Sequence, residues 1–78
     1  MTSLRIQNDD VVDLPPSCKL VYLVLQEDGA VTLSELIDKT TLPNRTVRRA
    51  ISRLVDRDLV ERRPFVGDAR QELFELVD

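Results

Sequence analysis

Residues 43–60, PNRTVRRAISRLVDRDLV, decide the fold. Val47, Ala50, Ile51, Leu54 and Val55 recur at i, i+3, i+4, i+7 and i+8, the spacing that lines one face of an α-helix with apolar side chains. At about 100° per residue, Arg45, Arg48, Arg49, Ser52, Arg53 and Asp56 fall opposite that stripe. The segment predicts a helix that begins around Asn44, hides an aliphatic seam and turns guanidinium groups outward. It ends near Arg57-Asp58, because aspartate is one of the few residue types besides glycine that enter the left-handed region, and Leu59-Val60 then return the chain to the core.

Upstream, Thr40-Thr41-Leu42-Pro43 is a short interruption after a second helix of about two turns, whose buried face is Leu33, Leu36 and Ile37. Thr32-Leu33-Ser34-Glu35 fits a capping box, in which the Thr hydroxyl and the Glu carboxylate each satisfy an orphan amide at the helix start. Ala30-Val31 is too short for more than a bridging strand. A first helix opens at Pro16 or Ser17, runs through the apolar stretch Leu20 to Leu25 and closes near Asp28-Gly29. Leu4 to Leu14 alternates apolar residues with Asn and Asp and ends in Pro15-Pro16, so residues 1–14 read as an N-terminal arm and 15–78 as the domain.

Downstream, Leu59 to Val66 reads as extended, Gly67-Asp68-Ala69 as a turn, and Gln71 to Val77 as a returning strand. Pro64 cannot donate to a ladder and belongs on an edge or beside a bulge. Two helices joined by a short turn, the second bearing outward cations, then a hairpin, is the layout of a winged helix-turn-helix. The expected fold class is α+β, a three-helix core with a C-terminal two-stranded β-hairpin wing.

Composition narrows the chemistry. Seventy-eight residues allow one small core. One Cys and no His exclude a Cys/His zinc site, a disulfide framework and a histidine-based triad, so no metal, cofactor or catalysis is expected, and Cys18 reads as a small hydrophobe. No apolar run spans a bilayer and the acidic start lacks a signal-peptide pattern, which predicts a cytoplasmic protein. The net charge of −3 is unevenly spread: residues 1–41 carry −4, residues 42–70 carry +4 and residues 71–78 carry −3. Nine of the eleven cations are Arg and Asp outnumbers Glu, the surface of a salt-adapted, halophilic cytoplasm.

Arginine suits the outward face of the third helix because its planar fork bonds a phosphate or a guanine edge in a bidentate way. The same stripe can be a solvated helix face in an Arg-rich proteome. Arg62 and Arg63 either contact phosphate or pair with Glu61 and Glu72 across the hairpin. Asp68 is either ordinary turn chemistry or a brace for the wing.

From Ala30 to Leu76, 47 of the 78 residues, TLSELI, LPNRTVRRAISRLVDRDLVER and DARQELFEL resemble the winged helix-turn-helix of the MarR-type transcriptional regulators and their archaeal relatives. The R-T-V-x-R-x-I-x-x-L core is common to many winged helices, and the wing element D-x-R-x-x-x-F-x-L narrows it toward MarR. The resemblance implies that Asn44, Arg45, Thr46, Arg48 and Arg49 read or clamp DNA in the major groove. It further implies that Arg70 at the wing tip reaches the minor groove, with Asp68 bracing the loop by pairing with an arginine. Ser52, Arg53 and Arg63 complete the expected DNA-binding set. Asp58 replaces the usual glycine after the third helix, Ala69 replaces a common second wing arginine, and the long terminal helices that dimerise MarR proteins have no counterpart in these residues.

The first helix is apolar nearly all round. With Val21, Val24 and Leu25 on the core, Leu23 points away, flanked by Leu20 and Tyr22. Either the arm folds over it with Leu4, Ile6, Val11, Val12 and Leu14, or a second subunit packs there; a homodimer through Leu20, Tyr22 and Leu23 is the expectation. The function expected is a sequence-specific regulator bound to double-stranded DNA. The alternative is a winged-helix module for protein–protein interaction.

Overall fold

The computed structural model describes residues 11, 13–68 and 70–77. Its first helix, α1 (Pro16–Asp28), starts where the fixed φ of Pro16 suits the first turn, and the amides of Cys18 and Lys19 donate to the Pro15 carbonyl at 3.0 and 3.2 Å. It stops at Gly29, whose φ of 80° disfavours a side chain and whose N–H closes on the Leu25 carbonyl. Cys18, Val21, Tyr22 and Leu25 form its buried stripe. Tyr22 is therefore a correction: expected beside Leu23 on the outer side, it lies in the core with 8% of its surface exposed, and Val24 takes the margin. Leu23 is half-buried and Leu20 is exposed. Burial pushes the Cys18 thiol up in pKa, and its S–H faces the Ala50 carbonyl at 3.9 Å, consistent with a packing role.

Strand β1 (Val31–Thr32) leads into α2 (Leu33–Thr40). The capping box is formed: the Glu35 amide donates to Thr32 Oγ1 at 3.2 Å and the Thr32 amide donates to Glu35 Oε1 at 2.8 Å. The end of α2 is closed by Thr40, a buried residue whose hydroxyl donates to the Leu36 carbonyl at 2.7 Å and accepts from the Leu42 amide at 3.2 Å. Lys39 and Asp28 pair at 3.0 Å, tying α2 to the end of α1.

Thr41 then makes the turn in the left-handed region, at φ 58° and ψ 17°. A β-branched residue there is strained by about 1–2 kcal/mol, part of which glycine returns as chain entropy. Thr41→Gly is expected to raise stability by about 0.5 kcal/mol, roughly 2–4 °C in a thermal melt. An unchanged or lowered melting temperature would show that the Thr41 hydroxyl, which donates to the Thr40 carbonyl, outweighs that strain.

Helix α3 (Asn44–Asp56) buries Val47, Ala50, Ile51 and Leu54 against α1 and the sheet, with Val55 at the margin. It ends in a Schellman arrangement: the Asp58 amide donates to the Val55 carbonyl, the Leu59 amide reaches back to Leu54, and Asp58 holds φ 61° where glycine is usual.

Strands β2 (Val60–Pro64) and β3 (Glu72–Leu76) form the hairpin, with Arg62 opposite Phe74 and Pro64 opposite Glu72. β1 pairs antiparallel with β3, so the sheet has three strands in the order β1-β3-β2 and Pro64 lies on an edge strand. The expected two-stranded wing thus gains a short third strand, which anchors it to the helical core through Val31 opposite the buried Phe74. The core also crosses the boundary expected at residue 14, because Val11 and Leu14 are both buried within it. Leu4, Ile6 and Val12 of the arm, and Ala69 of the wing, lie outside the described residues. Among the described residues no helix is long and apolar enough to cross a membrane, and no cluster of His, Cys, Asp or Glu could hold a metal.

Candidate nucleic-acid interface

The seam of α3 fixes what its other side displays. Asn44, Arg45, Arg48, Arg49, Ser52 and Arg53 are exposed, and Thr46 is half-buried at the first turn. Pro43 supplies no side-chain cap; its carbonyl accepts from Thr46 and Val47 in the first turn, and the N-terminus of α3 carries the positive end of the helix dipole. Arg48 Nε donates to Asn44 Oδ1 at 2.7 Å, which orients both side chains without neutralising the cation. Among the described residues, Arg45, Arg48, Arg49 and Arg53 have no carboxylate partner.

The wing turn is built by Asp68. Its Oδ1 accepts from the Arg70 amide at 3.0 Å and its Oδ2 from Gln71 Nε2 at 3.1 Å, while Arg70 Nε is a distant 3.9 Å away. The brace expected through an arginine side chain is thus made chiefly by a backbone amide, leaving the Arg70 side chain 93% exposed. The Arg70 amide, with Gln71 helping, holds the Asp68 carboxyl below its ordinary pKa. A lowered carboxylate pKa means the brace is in place at neutral pH and is lost only as pH falls through that lowered value.

Arg63 is placed differently from expectation. Its guanidinium pairs with Glu75 at 3.0 Å, diagonally across the ladder rather than with Glu72. That pair also relieves Glu61 and Glu75, which face each other directly. Strand alternation explains the outcome: Arg62 shares a face with the buried Val60 and lies opposite buried Phe74, so Arg63 must project from the other face. Arg62, for which the sequence left phosphate contact and a cross-strand pair as alternatives, instead enters a groove of about 570 Å³ between α3 and the hairpin, lined also by Ser34, Arg48, Ser52, Arg70 and Glu72. Ser34, read in the sequence only as part of the capping box, is a groove residue to which sequence reasoning gave no functional role. The signal for Arg62 was available in the two-residue period counted from Val60.

The model of the MarR family matches residues 12–71. Among solved structures, the chain is similar to the E. coli MarR C80S mutant complexed with operator DNA, at 26% identity and a TM-score of 0.78, covering 85% of this chain and 47% of that one. It is similar to Bordetella bronchiseptica BpsR, a protein whose DNA binding is regulated by 6-hydroxynicotinic acid, at 29% identity and a TM-score of 0.79, covering 83% and 46%. The Bacillus subtilis YusO protein shares the fold at 23% identity and a TM-score of 0.78, covering 83% and 46%. The chain spans about half the length of these solved relatives. No curated protein matches it in sequence.

Proposed function

The chain belongs to the MarR family, and from that premise we propose that it is a non-catalytic transcriptional regulator that binds double-stranded DNA sequence-specifically, with α3 in the major groove and the hairpin on the adjacent minor groove or backbone. The observation that carries this reading is the outer face of α3, four exposed arginines without carboxylate partners among the described residues of an anionic protein. Asn44, Arg45, Thr46, Arg48 and Arg49 read base edges or clamp the flanking phosphates, Ser52 and Arg53 support them, and Arg70 extends from the turn that Asp68 braces. Arg63 drops out of the set, its charge being committed to Glu75.

We place the protein in the cytoplasm as a homodimer, with neither metal nor cofactor. The exposed Leu20 and half-buried Leu23 of α1 are the apolar contacts for a second copy, and a two-fold pair presents two α3 helices to half-sites about one DNA turn apart.

Anisotropy titration against the protein's own promoter fragment and random duplexes, at several salt concentrations, tests the reading. Cognate DNA should bind more tightly, and about six phosphate contacts give a log–log salt slope of about −5. Failure to bind any duplex would instead favour the protein-interaction module, for which the net charge of −3 is the supporting feature.

A further inference from the structure

We propose that Arg62 holds a backbone phosphate of the one DNA strand that passes between α3 and the wing, an inference that rests on the DNA-binding reading above. A major groove and the minor groove beside it are separated by a single sugar–phosphate strand. If α3 occupies one and the hairpin the other, that strand must run through the groove between them. Three elements bring guanidinium groups to this groove: α3 gives Arg48, β2 gives Arg62, and the wing turn gives Arg70. The hydroxyls of Ser34 and Ser52 line it as well.

A groove lined by forked cations and serines matches the non-bridging oxygens of a phosphodiester. Arginine and the neighbouring Gln71 can also bond base edges, but a position between the two grooves brings the backbone rather than a base to Arg62. Arg62 is exposed and has no ion-pair partner among the described residues. Its neighbour Arg63 is neutralised by Glu75 on the other face, so adjacent residues of the same type have opposite fates and each serves as the other's control. Glu72 is the carboxylate on the groove wall among the described residues, and it opposes a phosphate there.

The experiment is anisotropy titration of the whole chain on cognate and random duplexes, with circular dichroism confirming each variant's fold. Arg62→Gln should weaken binding to both duplexes about equally, by roughly tenfold, and flatten the salt slope by about 0.9. Arg63→Gln should change neither by more than about twofold. Glu72→Gln should tighten binding by about two- to threefold. In a second measurement, a single neutral methylphosphonate is moved along the strand between the two grooves. Wild-type protein should lose affinity at one position per half-site, and Arg62→Gln should lose nothing further at that position.

An Arg62→Gln loss confined to cognate DNA would make Arg62 a base reader and overturn the assignment. So would an equal slope change for Arg63→Gln, or a full Arg62→Gln loss at every neutralised phosphate. If wild-type protein binds and Arg49→Ala weakens it while Arg62→Gln does not, this inference alone fails. If wild-type protein binds no duplex, the parent reading fails with it.

Discussion

The double variant Arg45→Ala/Arg49→Ala is expected to lose about 10³-fold in affinity for the cognate fragment while keeping its fold. Each good bidentate contact to a base is worth about 1–3 kcal/mol, and because Arg45 and Arg49 lie one helical turn apart and can couple, the expected loss is that of two such contacts without strict additivity. Stability should not fall. Both residues are exposed and neither has a carboxylate partner among the described residues, so no buried charge is orphaned, and alanine is the best helix former. Arg45, Arg49 and Arg53 also succeed one another at i, i+4 and i+8, which places like charges side by side at a cost of about 0.2–0.5 kcal/mol per pair. A merely solvated helix face would relieve that repulsion with Asp or Glu at the same spacing. The double variant should therefore melt at the same temperature or slightly above the wild type, and bind random DNA with a smaller loss than cognate DNA. Retention of the promoter fragment at wild-type affinity would remove α3 as the reading helix.

The parts of the fold that were legible are those with a phase. The stripe of α3 repeats five times on one face, the Thr32 and Glu35 pair has a single geometric use, and Pro64 can sit only where its missing amide is not needed. The first helix had no phase, since Leu20 to Leu25 is apolar at every position, and tertiary packing alone chose Cys18, Val21, Tyr22 and Leu25 as the inner side. A strand of two residues has no period either, so the sequence allowed only a bridging strand at Ala30-Val31, and its one-residue offset to Val31–Thr32 and its pairing with Leu73 and Phe74 come from the sheet. The arm's Val11 and Leu14 gave no helical period, and both are nonetheless buried in the core.

The site divides in the same way. The outward arginines of α3 followed directly from its stripe, whereas the wing arginines depended on which β2 residue faced inward. Arg62 and Arg63 are adjacent and chemically identical, and a one-residue change in strand phase exchanges a groove for an ion pair. Val60, buried at the strand's start, sets that phase. Asp68 was legible as a turn residue, but its preference for the Arg70 amide over the Arg70 side chain is a matter of backbone geometry that spacing does not encode.

Leu54→Ala is expected to damage the scaffold severely, and it separates the scaffold from the site. Leu54 is fully buried, sits on the seam of α3, and its carbonyl accepts the Leu59 amide that turns the chain toward β2. Truncating such a leucine costs about 2–5 kcal/mol in lost burial and residual cavity. A domain of this size has only about 4–12 kcal/mol in total, so the melting temperature should fall by roughly 15 °C. Leu54→Met, which nearly conserves volume, should cost less than about 1.5 kcal/mol. The exposed arginines are untouched in both variants, so folded Leu54→Ala protein at low temperature should bind cognate DNA with close to wild-type affinity and lose it on warming in step with its unfolding. Affinity lost while the helical signal is intact would mean that the seam also tunes the angle at which α3 meets the duplex, and that the arginine face is not the rigid display its burial pattern implies.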